Sequence, residues 1–222
     1  MLERVLIIGG NSGIGLELKN LLEKNGVEVI AISRSGDGLD FNDDKPMFKE
    51  INGPVDTLVY CPGTINLKPF SSLKIEDFIQ DININFLGAV KSIKNYLPNL
   101  KQSKNASVLM FSSVAVQRGM PFHSSIGSAK GAVEGLTRSL AAEFAPSIRV
   151  NCISPSLTNT NLSSKLLRND RQKESATNRH PLKAIGEPLD IAEMAAFLIS
   201  KKSKWITGQV IGIDGGLSTL TS

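Results

Sequence analysis

The sequence predicts an α/β protein with one doubly wound parallel sheet and helices on both faces, in a single domain over residues 1–222. Apolar runs of strand length alternate along the chain with helical patterns. A glycine-rich stretch joins the first apolar run to the first helical pattern. Small and polar residues follow the apolar runs, and in a parallel sheet such residues gather at the carboxyl ends, where ligands bind.

Length and composition restrict the class of protein. At 222 residues and 41% hydrophobic, the chain can bury one sizeable core. Its net charge of +4 comes from interspersed charges, which favours a solvated surface over nucleic-acid binding. No stretch reaches the roughly 18 apolar residues of a membrane span, and the N-terminal apolar run is too short for a signal peptide. A cytoplasmic protein with no membrane partner is therefore expected. Cys61 and Cys152 lack metal-ligand spacing, so free thiols and no metal site are expected.

The order of predicted elements follows the apolar and helical patterns. Strands are predicted at 4–8, 27–32, 55–60, 106–111, 148–153 and 209–213, with a brief strand at 39–41. Helices are predicted at 16–26, at 75–96 with Pro98 as the boundary, at 125–144 and at 189–200. The polar segment 156–181, with a short helix near 163–169, is predicted to form a mobile lid over a site.

The first glycine-rich stretch is the clearest ligand-binding signal. It reads Gly9-Gly10-Asn11-Ser12-Gly13-Ile14-Gly15 and separates a strand from a helix. Glycines at this point let the backbone approach a pyrophosphate at the helix N-terminus. Arg34 follows the second strand, where a site that prefers NAD has an acidic residue. A cation there suits the 2′-phosphate of NADP(H), with NAD(H) and a purely solvated arginine as the alternatives.

A second stretch, Leu109 to Gly131, brings reactive side chains together. It begins as an apolar strand, continues as a serine-rich loop and enters a helix of small residues that contains Lys130. This arrangement delivers hydroxyls and an ammonium into one pocket at the end of the sheet.

These motifs resemble those of the short-chain dehydrogenase/reductase family over essentially the whole chain. The glycine stretch resembles the family's TGxxxGIG with Ile8 in place of threonine, and YCPG at 60–63 lies at the NNAG position. NFLG at 85–88 resembles the helix motif with the catalytic asparagine, and FSS at 111–113 resembles the strand end with the catalytic serine. RVN at 149–151 with Pro155 and Thr160 resembles RVNxIxPGxxxT, with Ser156 replacing glycine. TGQ at 207–209 and DGG at 214–216 resemble the C-terminal ITGQ and DGG.

The resemblance implies a Rossmann-type fold and hydride exchange between a nicotinamide cofactor and a small-molecule substrate. It implies catalytic roles for Asn85, Ser113 and Lys130, and a homodimer or homotetramer built on the helices at 75–96 and 125–144. The cofactor-binding residues that it implies are Gly9, Asn11, Ser12, Gly13, Ile14, Gly15, Arg34, Asp40, Cys61, Pro62, Gly63, Lys130, Pro155 and Thr158.

One family motif is incomplete. Where family members carry YxxxK, this chain has Ile126-Gly127-Ser128-Ala129-Lys130, so the lysine is present and the tyrosine is absent. In the family mechanism the tyrosine exchanges a proton with the substrate oxygen, while lysine binds the nicotinamide ribose, serine polarises the substrate oxygen and asparagine holds a water. Isoleucine cannot exchange a proton, and losing a positioned acid typically costs about 10²–10⁴ in rate.

Several side chains near the gap are candidates for the missing acid. His123 precedes Ile126 by three residues and its imidazole suits acid–base chemistry, with a surface histidine as the alternative. Weaker candidates are Ser124, Ser125 and Tyr60, and Lys130 is a further one, with ribose binding alone as its favoured role.

Three functions therefore stay open. The first is an NADP(H)-dependent oxidoreductase with an altered proton relay. The second is a dinucleotide-binding sensor or scaffold without turnover, and the third is a non-redox enzyme on the same scaffold.

Overall fold

The computed structural model describes residues 4–220, and its centre is one six-stranded sheet. All neighbouring strands are parallel, in the order β2-β1-β3-β4-β5-β6. The strands are β1 (Arg4–Ile8), β2 (Glu28–Ile32), β3 (Thr57–Tyr60), β4 (Ala106–Phe111), β5 (Ile148–Pro155) and β6 (Val210–Ile213). The predicted doubly wound parallel α/β fold is confirmed.

Helices cover both faces of the sheet. They are α1 (Gly13–Lys24), α2 (Arg34–Asp37), α3 (Ile75–Asp81), α4 (Gly88–Leu100), α5 (Val114–Gln117), α6 (Ser124–Phe144), α7 (Asp170–Arg179) and α8 (Pro188–Ile199). Apolar side chains of α4 and α6 pack on one face of the sheet, and those of α1 and α8 pack on the other. None of the helices within residues 4–220 is long and apolar enough to cross a membrane.

Alternating side chains of each strand pack into the two hydrophobic cores, one on each face of the sheet. In β1, Leu6 and Ile8 join the core under α4 and α6, whereas Val5 and Ile7 join the core under α1 and α8. Successive side chains of a strand point to opposite faces, so a strand that is buried on both faces reads as a continuous apolar run. This is why the four central strands, β1, β3, β4 and β5, can be located from the sequence.

The brief strand predicted at 39–41 is wrong. After the single turn of α2 the chain pairs with no strand until β3. Leu39 and Phe41 are buried all the same, because they pack into the core beside α4, with the Phe41 and Tyr60 rings 5.5 Å apart. Their alternation reflects two separate core contacts rather than a strand.

The long helix predicted at 75–96 differs from the structure in two ways. It is divided by a π-helical segment, Ile82–Leu87, between α3 and α4. It also continues through Pro98 to Leu100, so Pro98 lies inside α4 rather than at its boundary. The wider π turn contains Asn85, and such turns often mark functional sites.

The lid segment (residues 156–181) is more regular than its sequence suggests. The short helix predicted near 163–169 is a 3₁₀ helix at Asn161–Leu166, and α7 follows it. Asn169 caps α7 by accepting a hydrogen bond from the Gln172 backbone N–H at 2.9 Å. Mobility of this segment stays a prediction.

Candidate active site

A cavity of about 1490 Å³, here called the cleft, opens at the carboxyl ends of the strands. The glycine loop, the loops after β2, β3, β4 and β5, and the lid segment surround it. The predicted catalytic and cofactor-binding residues all line the cleft except Asn85, whereas the weaker acid candidates Ser124, Ser125 and Tyr60 do not. Sequence positions separated by more than 100 residues thus converge in one place, as expected for a doubly wound sheet.

The glycine loop closes tightly around the start of α1. Gly9 has a φ of +83°, and a Cβ at this residue would lie 3.1 Å from Cδ of Pro62. A Cβ on Gly15 would collide with the carbonyl oxygen of Gly9. Ser12 precedes the helix in an extended conformation, and its side chain does not cap the first turn. The first-turn N–H groups of α1 therefore face a cradle that fits a pyrophosphate.

Arg34 lies at the end of β2, at the far side of the glycine loop. Its side chain is 73% exposed and forms an ion pair with Asp40 at 3.8 Å. Asn11 positions the preceding turn by donating from Nδ2 to Oγ of Ser33 at 2.6 Å. A guanidinium with donors left free beside two hydroxyl residues fits a 2′-phosphate. Contact between Asp40 and the cofactor stays a prediction.

Lys130 is the cation at the centre of the cleft. Its side chain is buried, and Nζ donates to the Phe111 carbonyl oxygen at 2.9 Å. A Cβ on Gly63 would lie 3.5 Å from Nζ, so glycine leaves access to the ammonium. Burial lowers the pKa of Lys130 to about 8, although the nearby Asp81 carboxylate opposes the shift. A buried ammonium at this position fits the hydroxyls of a ribose.

Asn85 lies behind the wall of the cleft in a hydrogen-bonded network. Its Nδ2 donates to Thr64 Oγ1 at 2.7 Å and to the Asp81 carbonyl oxygen at 2.8 Å. The fully buried Asp81 carboxylate accepts from the Thr64 hydroxyl, from Asn66 Nδ2 at 3.1 Å and from Ser125 Oγ at 2.5 Å. Thr64 lines the cleft and so connects this network to it.

The two serines after β4 have different environments. Ser112 is buried and donates to Oε1 of Glu134 at 2.7 Å. Ser113 is partly buried, lines the cleft and caps α5, where its Oγ accepts from the Ala115 N–H at 3.2 Å. The Ser113 proton is therefore available to a substrate oxygen.

Ile126 occupies the position of the missing acid. It is 5% exposed, lines the cleft and precedes Lys130 by four residues, on the same face of α6. His123 also lines the cleft, and its Nδ1 lies 2.7 Å from the Pro121 carbonyl oxygen. Ser125 is committed to Asp81, and Ser124 is exposed.

Tyr60 is not at the cofactor position that its place in the motif implies. Its side chain enters the core, and its hydroxyl donates to the Ile84 carbonyl oxygen at 2.5 Å. Burial raises the pKa of Tyr60 well above its usual value, so the phenol is not an acid for the cleft. Burial likewise raises the pKa of the Cys61 thiol to about 12, so the thiol is neutral.

The structure adds a pair of residues that sequence reasoning missed. Oγ of Ser156 lies 2.8 Å from Nε2 of His180, and both residues line the cleft. The His180 ring is buried, and its Nδ1 lies 2.8 Å from the Ala176 carbonyl oxygen. The only sequence signal was the serine at the family's glycine position. Within residues 4–220 no cluster of acidic, histidine or cysteine side chains could hold a metal ion.

The fold and the cleft define an oxidoreductase, and the chain belongs to the short-chain dehydrogenase/reductase family. The family model described as enoyl-(acyl carrier protein) reductase matches residues 45–218. The 3-oxoacyl-(acyl-carrier-protein) reductase FabG of Thermotoga maritima is 32% identical over 238 residues, which cover 96% of each chain. The resemblance inferred from the motifs is confirmed.

Solved structures agree with the family assignment. ElxO with NADP bound superimposes with a TM-score of 0.88 and 28% identity, covering 99% of this chain and 100% of ElxO. A small-chain dehydrogenase in complex with NADPH gives a TM-score of 0.86 at 28% identity, covering 98% and 99% of the two chains. Both neighbours contain NADP or NADPH.

Proposed function

We propose that this protein is an NADP(H)-dependent oxidoreductase that reduces a carbonyl or oxidises an alcohol on a small molecule, with a proton relay that does not use tyrosine. One observation carries the proposal. The buried ammonium of Lys130 faces the cleft beside the β4 end that holds Ser113, behind a glycine that keeps it accessible. An inactive pocket has no chemical need for a buried cation and a free hydroxyl at the same point.

Different residues of the chain bind different parts of the cofactor and the substrate. The first turn of α1 binds the cofactor pyrophosphate, Arg34 binds the 2′-phosphate, and Lys130 binds the nicotinamide ribose. The bound nicotinamide supplies or accepts the hydride. Ser113 donates a hydrogen bond to the substrate oxygen and so polarises the bond that reacts. Asn85, Thr64 and Asp81 hold the wall behind that oxygen and anchor the start of α6 through Ser125.

The charge of α7 favours substrates that carry an anionic group. Its cleft-facing side holds Arg171, Gln172, Ser175 and Arg179, whereas its acidic residues, Asp170 and Glu174, lie outside the cleft lining. Among residues 4–220 no carboxylate forms an ion pair with Arg171 or Arg179. Both arginines belong to the segment after β5, whereas Arg34 follows β2 at the other side of the sheet. Their guanidiniums are available to bind a phosphate or carboxylate of the substrate.

Ile126 favours a second candidate, a protein that binds the dinucleotide without turnover. The experiment that separates the two is a titration with NADPH and NADH, followed by NADPH oxidation with methylglyoxal, ethyl acetoacetate and D-ribulose 5-phosphate. The proposal predicts tighter binding of NADPH and its oxidation with a carbonyl compound. Tight binding with no oxidation would support the second candidate, and no binding of either dinucleotide would refute both. Assembly as a homodimer or homotetramer stays a prediction.

A further inference from the structure

We propose that Ser156, backed by His180, exchanges the proton with the substrate oxygen in place of the family's tyrosine; this rests on the proposed oxidoreductase function. Ser156 is the catalytic residue of the pair, and His180 acts through it. The proposal depends on the position of Ser156 relative to Ser113, the hydrogen bonds of the imidazole and the charges around it.

Ser156 and Ser113 follow neighbouring strands. Phe111 of β4 pairs with Ile153 of β5, and the Ser112 N–H donates to the Ile153 carbonyl oxygen at 2.8 Å. Adjacent strands lie about 4.8 Å apart, so residues just past the two strand ends are neighbours. Both serines line the cleft. The proposal places the substrate oxygen between these two hydroxyls.

The hydrogen bonds of His180 define the role of each ring nitrogen. A carbonyl oxygen can only accept, so Nδ1 carries the proton that it donates to Ala176 at 2.8 Å. In the neutral ring Nε2 then accepts from the Ser156 hydroxyl at 2.8 Å, and in the imidazolium it donates to Oγ. The same contact thus carries a proton in either direction while the ring stays in place.

The pair is held rigidly enough for this task. His180 is 2% exposed, and a Cβ on Gly215 would lie 3.5 Å from its Cβ and Cδ2, so the glycine lets the loop after β6 pack on the ring. The Ser156 backbone N–H donates to the Ile213 carbonyl oxygen at 3.2 Å, which anchors the serine at the sheet.

The loop after β6 places a carboxylate near the imidazole. Burial raises the pKa of Asp214, but hydrogen bonds from Ser218 and Gly216 outweigh that effect, and with the additional influence of His180 the pKa is lower than usual. An ionised Asp214 stabilises an imidazolium nearby.

Basic residues also lie on the elements packed against His180. Arg179 precedes it on α7, Lys183 donates from Nζ to the Asn178 carbonyl oxygen, and Arg118 donates to the Leu217 carbonyl oxygen of the loop after β6.

In the direction of reduction, the carbonyl carbon gains the hydride and the electron pair of its π bond moves to oxygen. That oxygen takes the proton of Ser156 Oγ, and Oγ takes the proton of His180 Nε2, so the imidazolium becomes neutral. In the direction of oxidation each proton moves the other way, from substrate hydroxyl to Ser156 and from Ser156 to His180. Between turnovers the proton passes between the ring and water in the cleft through the Ser156 hydroxyl.

The test compares Ser156→Ala and His180→Asn with the wild-type full chain. The asparagine amide can replace the Nδ1–H bond to Ala176 but has no counterpart of Nε2. Both variants should lose about 10²–10³ in kcat with the carbonyl compound that the wild type reduces best, and should keep their NADPH affinity. The pH profile of kcat/KM should have one ionisation fewer in His180→Asn, which a purely structural role would not remove.

Two further measurements test the proposal without relying only on a loss of activity. The ¹⁵N resonance of Nε2 in wild type and in Ser156→Ala, followed over pH in the presence of NADP, should titrate differently in the two proteins. Ile126→Tyr in the Ser156→Ala background should recover turnover, because the phenol would project into the cleft from the family's position. Ser164→Ala, an exposed lid serine outside the cleft lining, is the matched control and should behave as wild type.

The possible failures are distinct. If the wild type binds NADPH but none of the carbonyl compounds supports its oxidation, both the oxidoreductase function and the proton relay are wrong. If the wild type turns over and both variants keep its kcat and pH profile, only the relay is wrong.

Discussion

Nζ of Lys130 donates a 2.9 Å hydrogen bond to the carbonyl oxygen of Phe111. This bond connects α6 to the last residue of β4, immediately before Ser112 and Ser113. The cation and the hydroxyl that define the centre of the cleft are therefore positioned by one contact. It also explains why a charged side chain is tolerated with only 8% of its surface exposed.

Replacing Lys130 by methionine should stabilise the protein without cofactor and weaken NADPH binding. In wild type the pKa of Lys130 is lowered from 10.5 to about 8, so at pH 7 the folded state carries the full cost of a buried ammonium. Lys130→Met should raise the free energy of unfolding at pH 7 by about 1–3 kcal/mol, measured by urea denaturation. The difference should shrink between pH 8 and 10.5, where the unfolded wild type binds the proton more tightly.

The control for this prediction is Lys173→Met on the solvent side of α7. It should change neither the pH dependence of unfolding nor the dissociation constant of NADPH. Equal unfolding curves for wild type and Lys130→Met at pH 7 would contradict the cost assigned to the buried ammonium.

Arg34→Ser should shift cofactor preference away from NADPH. The exposed guanidinium offers charge-assisted hydrogen bonds to a 2′-phosphate, and NADH has no such group. The dissociation constant of NADPH, measured by fluorescence titration, should rise about tenfold or more while that of NADH changes little. Arg168→Ser, outside the cleft lining, should leave both constants unchanged. An equal loss for the two dinucleotides would assign Arg34 a structural role instead.

Asp81→Asn should destabilise the fold and reduce turnover together. The buried carboxylate accepts hydrogen bonds from Thr64, Asn66 and Ser125. In Asp81→Asn an NH₂ group would replace one of the accepting oxygens, so two hydrogen-bond donors would face each other. The expected loss of unfolding free energy is about 2–4 kcal/mol by urea denaturation. Glu174→Gln on the exposed side of α7 should leave the denaturation midpoint unchanged. A denaturation midpoint for Asp81→Asn equal to that of the wild type would show that this hydrogen-bond network contributes little to stability.

Arg171→Gln combined with Arg179→Gln should selectively impair anionic substrates. For a phosphorylated ketose such as D-ribulose 5-phosphate, kcat/KM should fall about tenfold or more, since both guanidiniums lie in the cleft lining. A neutral ketone such as ethyl acetoacetate should be affected far less. The matched control is Arg168→Gln with Lys173→Gln, which removes two positive charges from neighbouring positions outside the cleft lining. Equal effects of the two double variants would indicate a general charge effect only.

The parts of the fold that could be predicted are those with strictly local causes. The four central strands, β1, β3, β4 and β5, are buried on both faces and so appear as apolar runs. The glycine loop appears because Gly9 and Gly15 have no room for a side chain. The helix α7 was missed because only Ala176 among its ten residues is buried, which leaves no apolar period to detect.

The candidate site was predictable only where a motif carried it. Ser113 and Lys130 lie in one continuous stretch, and both line the cleft as expected. Ser156 and His180 are 24 positions apart and meet through the fold of the lid segment. Asp81 lies one helical turn before Asn85, but nothing in the sequence indicates that its carboxylate is buried with Thr64 and Ser125.

The most direct test of this account is the transfer of deuterium from NADPH to the carbonyl compound that the wild type reduces best. The NADPH is labelled at C4, on each face in turn. The product is analysed by mass spectrometry. The account predicts that one of the two labelled cofactors yields an alcohol with one deuterium on the former carbonyl carbon, and that Ser156→Ala yields the same product more slowly. NADPH that binds in the cleft but leaves every carbonyl compound unlabelled would contradict it.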